Sequence, residues 1–223
     1  MVKINDITAV ITSFNRRDLL LRNIQSLLYF YHGEIKKLII IEDSADESMR
    51  DWLLEYCHNY DLIINEKNIG AYESIELAYS YVHTPYVLHI EDDWEFIKGG
   101  FIKPAIKVLE NDKTIMQVNL EHNPFMSSLP EILNADGVNY QIVGTDVNGW
   151  WHGFTCHPSV RSMAAYEVTK PWTQYSLPME ELSQRELKVG LEYFRLGYKA
   201  AILSESYCIH TGLGRCTWHP NDL

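Results

Sequence analysis

The 223-residue chain holds 19 basic and 30 acidic side chains, a net charge of −11, and 46% of its residues are hydrophobic. Its length and apolar content fit one domain, built from two halves around a core of real size. The acidic balance excludes an extended nucleic-acid surface and charge-driven docking on anionic membrane, though not a phosphate ligand whose charge a metal ion screens.

Ile7-Thr8-Ala9-Val10-Ile11-Thr12 is a continuous β-prone run, the pattern of a strand buried on both faces. Asn15, with Asp18 three places on, then opens a helix. Leu20, Ile24, Leu27, Leu28 and Tyr31 recur at helical spacing, and Gly33 is placed to stop it. Leu38–Ile41 predicts a second strand, ended by Glu42-Asp43-Ser44, and Met49, Trp52, Leu53 and Tyr56 mark a second helix. Asp61–Ile64 predicts a third strand and Asn65–Gly70 a loop. A third helical stripe of Ala71, Ile75, Ala78, Tyr79 and Val82 ends at Pro85, and Tyr86–Ile90 is the fourth strand. Residues 7–93 therefore read β-α-β-α-β-α-β, which implies an α/β fold with a Rossmann-like parallel sheet and helices on both faces. Ligands bind such sheets outside the carboxyl ends of the strands. The segments there, Thr12–Arg16, Glu42–Asp46, Asn65–Gly70 and Glu91–Trp94, are the polar, Asx-rich pieces of this half.

The second half is less regular. A helix over Ile102–Leu109 and a strand over Ile115–Leu120 lead into loop-rich residues 121–150, with Pro124, Pro130, Gly137, Gly144 and Gly149 and a strand near Tyr140–Val143. Ser159–Val168 predicts a helix. Ser183-Gln184-Arg185-Glu186 reads as a capping box opening a helix to about Leu196, closed by Gly197. Lys199–Leu203 is expected as the last strand, followed by a tail. With no linker visible, residues 1–98 and 99–223 are expected as two halves of a single domain.

Cys57, Cys156, Cys208 and Cys216 form no C-x-x-C pair, too scattered for a disulfide framework or a zinc ribbon. They read as reduced thiols, with a Cys208–Cys216 bridge as the alternative.

Glu91-Asp92-Asp93 is the principal chemical feature. Carboxylates at a strand end are hard oxygen ligands suited to Mg²⁺ or Mn²⁺, and burying like charges together needs a cation or strong hydrogen bonds. A solvated acidic turn is the bland alternative, which the strand-end position disfavours.

Thr12-Ser13-Phe14-Asn15-Arg16, Glu42-Asp43-Ser44, Asn68-x-Gly70 and Glu91-Asp92-Asp93 follow the four strands in order. Together they resemble the motifs of nucleotide-sugar glycosyltransferases of the GT-A fold, above all the large inverting family two. The resemblance covers residues 7–94 and is weaker over 95–223. It implies a nucleotide-binding first half and an irregular acceptor-binding, catalytic second half. It also implies that Thr12, Ser13, Asn15 and Arg16 lie along the nucleoside and phosphates, that Asp43 faces the base, typically uracil, and that Asn68 and Gly70 belong to the wall near ribose and base. Glu91-Asp92-Asp93 stands where the family has D-x-D. Asp93 is the implied metal ligand, with Glu91 or Asp92 on ribose, sugar or metal-bound water; Glu for the first Asp is a departure. His210 is placed like a C-terminal metal-binding His of this fold, which would bring Arg215 near the diphosphate; His219 reads as plain tail. For Arg16 the alternative is a solvated helix-start arginine.

The family keeps an acidic pair near the start of a late helix as base, and that helix ends here in Gly197-Tyr198, like the family's closing Gly-Tyr. Glu181 is favoured, then Glu180, then Glu186, for which a capping-box role is a sufficient alternative. Gly149-Trp150-Trp151-His152-Gly153-Phe154 offers Trp150, Trp151 and His152 to a donor or acceptor sugar, with Trp94 beside them; core aromatics are the alternative.

The function so implied is metal-dependent transfer of a sugar from a nucleotide diphosphate, UDP by preference, to a hydroxyl acceptor with inversion. The acceptor is a glycan, a lipid-linked sugar or another hydroxyl compound. The alternatives are a non-catalytic nucleotide- or sugar-binding module and a sugar nucleotidyltransferase, which would want a glycine-rich loop where Thr12–Arg17 has none. No signal peptide and no run of about 18 apolar residues is present, so a soluble cytoplasmic protein is expected, peripheral at a membrane if its acceptor is lipid-linked.

Overall fold

The computed structural model describes residues 6–31, 34–122, 129–145, 151–175 and 182–215. The elements in chain order are β1 (Ile7–Ser13), α1 (Arg17–Tyr31), β2 (Lys37–Glu42), α2 (Ser48–Leu54), β3 (Asp61–Ile64), α3 (Ala71–Tyr79), β4 (Tyr86–Glu91) and β5 (Trp94–Phe96). There follow α4 (Ile102–Asn111), β6 (Ile115–Asn119), β7 (Leu133–Ala135), β8 (Val138–Ile142), β9 (Ser159–Ser162), α5 (Met163–Thr169), a 3₁₀ turn (Trp172–Tyr175), α6 (Leu182–Arg195), β10 (Lys199–Leu203) and β11 (Cys208–His210). Every strand expected in the first half forms; β1, β2 and β4 are buried on both faces, with Ala9, Val10, Ile11, Ile39, Ile40 and Ile41 fully buried, while β3 at the sheet edge is half-buried.

Nine strands make one sheet in the order β3-β2-β1-β4-β9-β6-β10-β8-β7, and β5 and β11 make a separate antiparallel pair. β3, β2, β1 and β4 are parallel neighbours, as are β6 and β10; only β9 and β8 run against the common direction. This is a mostly parallel α/β sheet of GT-A type. It runs through both halves, since β9 pairs with β4 on one side and β6 on the other. Apolar clusters fill the space on the two sides, one under α1, α2 and α4, the other under α3, α5 and α6.

Three expectations are corrected. Ser159–Val168 is not one helix: Ser159–Ser162 is strand β9, inserted antiparallel between β4 and β6, and α5 begins at Met163 with the Ser162 side chain capping Ala165 N–H. The capping box at Ser183 does not form, because α6 already begins at Leu182 and the Glu186 carboxylate is turned to another partner. Lys199–Leu203 is not the last strand: β11 follows, its Cys208, Ile209 and His210 paired with Phe96, Glu95 and Trp94.

Two turns behave as their residues dictate. Asp136-Gly137, with φ of 49° and 85°, joins β7 to β8 as a hairpin turn that needs positive φ at both places. At the end of α6, Gly197 adopts φ of 82°, and the amides of Gly197 and Tyr198 return to the carbonyls of Phe194 and Tyr193, a Schellman closure. Among the described residues no helix is long and apolar enough to cross a membrane. Cys57, Cys156 and Cys208 are buried free thiols; Cys216 lies outside the described residues.

Candidate functional site

The carboxyl ends of β1, β2, β3 and β4 converge as the pattern required. The two acids that end β2 hold the loops that follow β1 and β3. Asp43, past the end of β2, accepts the side chain of Asn65 at 2.7 Å and the amides of Ile69 and Gly70, both at 2.9 Å. The Asn68 side chain closes a local turn onto the same Gly70 amide. Asp43 therefore shapes the wall that carries Asn68 and Gly70, and its second oxygen retains a free lone pair for a ring N–H. Glu42, fully buried, accepts the amide of Asn15 at 2.8 Å and holds that residue at φ of 54°.

The acidic turn is pinned from below. Asn23 of α1, with no exposure, donates to the carbonyls of Glu91 (3.1 Å) and Trp94 (2.7 Å). Asp92 is fully buried and takes Ser13 Oγ at 3.0 Å and a two-pronged contact from Arg16. Arg16 reaches on to Asp93 Oδ2 at 2.8 Å and to the carbonyl of Arg215 at 3.3 Å. It is thus no solvated helix-start residue but the counter-cation of the acidic turn. Thr12 sits one step back, its hydroxyl near the Ile90 carbonyl. Burial raises Asp92 to about 7, against the pull of Arg16, and burial together with Asp93 raises Glu91.

The chain's second half closes over Asp93. Thr211 donates twice to its carbonyl, at 2.8 and 3.0 Å. Gly212 lies flat against its side chain: a Cβ there would stand 2.5 Å from Oδ2 and 2.6 Å from Cβ of Asp93. His210, set by the β11–β5 register, has Nε2 3.3 Å from Asp93 Oδ2. Asp93 Oδ1 is buried and has no hydrogen-bond partner among the described residues. Among the described residues no three His, Cys, Asp or Glu side chains form a closed metal cage. One carboxylate with an uncommitted buried oxygen and one imidazole nevertheless fit an open Mn²⁺ or Mg²⁺ site that phosphate oxygens would complete. Arg215 lies beside it, its guanidinium on Asp18 of α1.

Glu186, in the first turns of α6, faces this cleft. Its Oε1 accepts the Cys156 amide at 2.5 Å and the Thr155 hydroxyl at 3.2 Å, while Oε2 takes no bond among the described residues. Glu180 and Glu181, the two preferred alternatives, lie outside the described residues, as does Trp150.

The other aromatic expectations meet mixed outcomes. Trp94 is only 2% exposed, with His157 and His210 each 5.0 Å from its ring, so two imidazoles rather than the indole border the cleft. Its Nε1 points to Glu91 at 3.4 Å. Trp151 donates to the Phe154 carbonyl at 2.6 Å. His152 stacks on Phe194, eight residues or about 12 Å along α6 from Glu186, so the structure does not bring it to the acidic cluster.

Several residues around the site carried no signal in the pattern: Asn23, Thr211, Gly212, Glu121 and His157. Glu121 and His157 form a part-buried pair through Nδ1. Burial opposes the imidazolium, yet Glu121, Glu186 and Glu91 outweigh it and hold His157 up at about 9. Behind it Arg161, sandwiched between Phe154 and Trp172, donates to the Thr155 carbonyl at 2.7 Å.

The family model of glycosyl transferase family 2 matches residues 8–150. No curated protein matches the chain. Among solved structures, a mannosyltransferase from Pyrobaculum calidifontis in complex with GDP-mannose and Mn²⁺ is similar with a TM-score of 0.65 at 11% identity, over 96% of this chain and 60% of that one. TarS of S. aureus, residues 1–349, has a TM-score of 0.62 at 13% identity, over 92% and 60%. GalNAc-T7 with UDP, GalNAc and Mn²⁺ has a TM-score of 0.69 at 11% identity, over 92% and 42%. At such identities the likeness is one of fold, and the chain spans at most 60% of these structures.

Proposed function

The chain belongs to glycosyl transferase family 2, and from that premise we propose a metal-dependent glycosyltransferase that moves a sugar from a nucleotide diphosphate to a hydroxyl acceptor with inversion. The observation that carries this is the Asp93 carboxylate, buried with Oδ1 unpartnered among the described residues and His210 beside its other oxygen. A divalent ion held there by Asp93 and His210 would neutralise the charge that grows on the leaving diphosphate.

The chain's own residues supply the rest. Asp43 accepts a ring N–H of the base, and the wall of Asn68 and Gly70 borders nucleoside and ribose. Arg16, already between Asp92 and Asp93, contacts the diphosphate, with Arg215 at its rim. UDP is the preferred carrier because the imide N–H of uracil suits Asp43; guanine also offers a ring N–H, so both belong in a donor panel. Glu186 is the general base. Two donors fix its Oε1, leaving Oε2 to take the acceptor hydroxyl's proton as that oxygen bonds to the anomeric carbon and the bond to the diphosphate breaks. The proton ends on Glu186 and the anomeric centre is inverted.

Calorimetry with UDP and GDP, with and without Mn²⁺, tests the site. Metal-independent binding, or binding untouched by Asp93→Ala, defeats the reading. Glu186→Gln is expected to lower turnover by about 10²–10⁴-fold with nucleotide affinity unchanged. Retained turnover there, with loss in Glu181→Gln or Glu180→Gln, transfers the role.

A further inference from the structure

We propose that His157, held by Glu121, is a further substrate-contacting residue of this cleft, donating from Nε2 to a hydroxyl of the sugar being transferred. The proposal rests on the transferase reading and adds the place where the sugar lies.

Strand order makes the first argument. β2 and β3, whose ends carry Asp43 and Asn65, lie on the β1 side of β4; β9 lies on the other. The metal-binding turn after β4 therefore divides the sheet edge. The nucleoside wall stands to one side of it and His157, just ahead of β9, to the other. The register sharpens this. His89 pairs with Ser159, and Asn119 pairs with the same Ser159. Continuing both antiparallel ladders by two residues sets His157 between Glu91 and Glu121. A sugar hanging from a diphosphate at Asp93, with its nucleoside on the Asp43 wall, extends toward this side.

Orientation makes the second argument. Nδ1 is committed to Glu121, while Nε2 makes no hydrogen bond among the described residues and 29% of the side chain is exposed. The ring rests 5.0 Å from the Trp94 ring, directly after Asp93. Nδ1 is taken by a carboxylate, so Nε2 is the nitrogen left for a ligand, and Glu121, Glu186 and Glu91 favour the doubly protonated ring in which it donates. A neutral polyol supplies the acceptor such a donor needs. One segment carries the whole arrangement: Thr155 and Cys156 clamp Glu186, His157 follows at once, and Arg161 braces the Thr155 carbonyl from behind.

The test compares nucleotide sugars with their nucleoside diphosphates, so that only the contribution of the sugar is read. UDP-glucose, UDP-N-acetylgalactosamine and GDP-mannose are titrated with Mn²⁺ by calorimetry beside UDP and GDP, on wild type, His157→Ala, His157→Gln and Glu121→Gln. His157→Ala is expected to weaken the nucleotide sugar about tenfold to a hundredfold while the nucleoside diphosphate stays within about twofold. His157→Gln, which keeps an N–H near the Nε2 position, recovers part of the loss, and Glu121→Gln loses most of it. Wild-type affinity in His157→Ala, or a parallel loss for the nucleoside diphosphate, overturns the proposal. So does a wild-type chain that binds the nucleoside diphosphate but gains nothing from the sugar, an outcome that leaves the transferase reading standing. A wild-type chain that binds none of the five compounds ends both.

Discussion

Gly212→Ala isolates the packing of the tail on Asp93, the proposed metal ligand. Gly212 does not occupy the left-handed region, so alanine is allowed by its backbone. The obstacle is space: the new methyl would lie 2.5 Å from Oδ2, 2.6 Å from Cβ and 2.9 Å from Cγ of Asp93. Carbon atoms rest roughly 3.5–4.0 Å apart, and a Cβ is no flexible tip, so the tail and Asp93 must part by about 1 Å. Overpacking of this kind costs about 1–3 kcal/mol, which lowers Tm by about 2–12 °C in a chain of this size. Disturbing the shell around a metal ligand costs about 10–100-fold in metal affinity. Calorimetry of UDP with Mn²⁺ and thermal melting read the two effects. Gly137→Ala is the control: its φ of 85° makes alanine unfavourable, yet nothing lies within 4 Å, so stability falls while metal-dependent binding holds. Asp93→Gly removes the atoms in collision, and adding Gly212→Ala to it is expected to cost nothing further in Tm. Unchanged Mn²⁺-dependent UDP affinity in Gly212→Ala would show that the tail does not set the position of Asp93.

His210→Ala is expected to weaken Mn²⁺-dependent UDP binding while leaving Tm without metal near wild type, since the side chain is partly exposed; identical Mn²⁺ titrations for the two proteins would remove His210 from the metal. Arg16→Ala leaves Asp92 buried without its cation, so at a pH of about 8–9, where Asp92 is ionised in the wild type, the metal-free protein loses about 3–5 kcal/mol by denaturant unfolding, and a change under 1 kcal/mol would contradict the pairing described. Metal-free stability is expected to fall as pH rises from about 6.5 to 9, above the range in which His89, held far below its ordinary value by burial, adds stability with rising pH. Asp92, raised to about 7, and Glu91, also raised, hold protons that the unfolded chain has released, and the His157 ion pair is lost as pH passes about 9. Scanning fluorimetry with EDTA measures this, and a Tm that climbs across that interval would refute it.

The first half of the fold was legible because its strands are continuous apolar runs and its helices have clean stripes. The second half resisted for physical reasons. β9 is a four-residue strand inserted between two others, and an insertion is a tertiary event that periodicity does not record. Ser183-Gln184-Arg185-Glu186 has the residues of a capping box, but Glu186 finds better donors in the Cys156 amide and Thr155 hydroxyl. Asp93 and His210 stood out as metal-ligand types at expected places. His157 and Gly212 did not: one depends on Glu121 across a strand pair, the other on the absence of a side chain, whose meaning appears only when its neighbour is known.

The pairing of β11 with β5 also orders events in time. Thr211 and Asp93 are 118 positions apart, and His210 reaches the acidic turn only when β11 has docked on β5. During synthesis, the wall built on Asp43 and the acidic turn emerge long before the imidazole that joins them. The proposed metal site therefore depends on a contact between distant parts of the chain, and a divalent ion acts as a clasp on the folded chain rather than a nucleus for its folding. Mn²⁺ should slow unfolding far more than it speeds refolding.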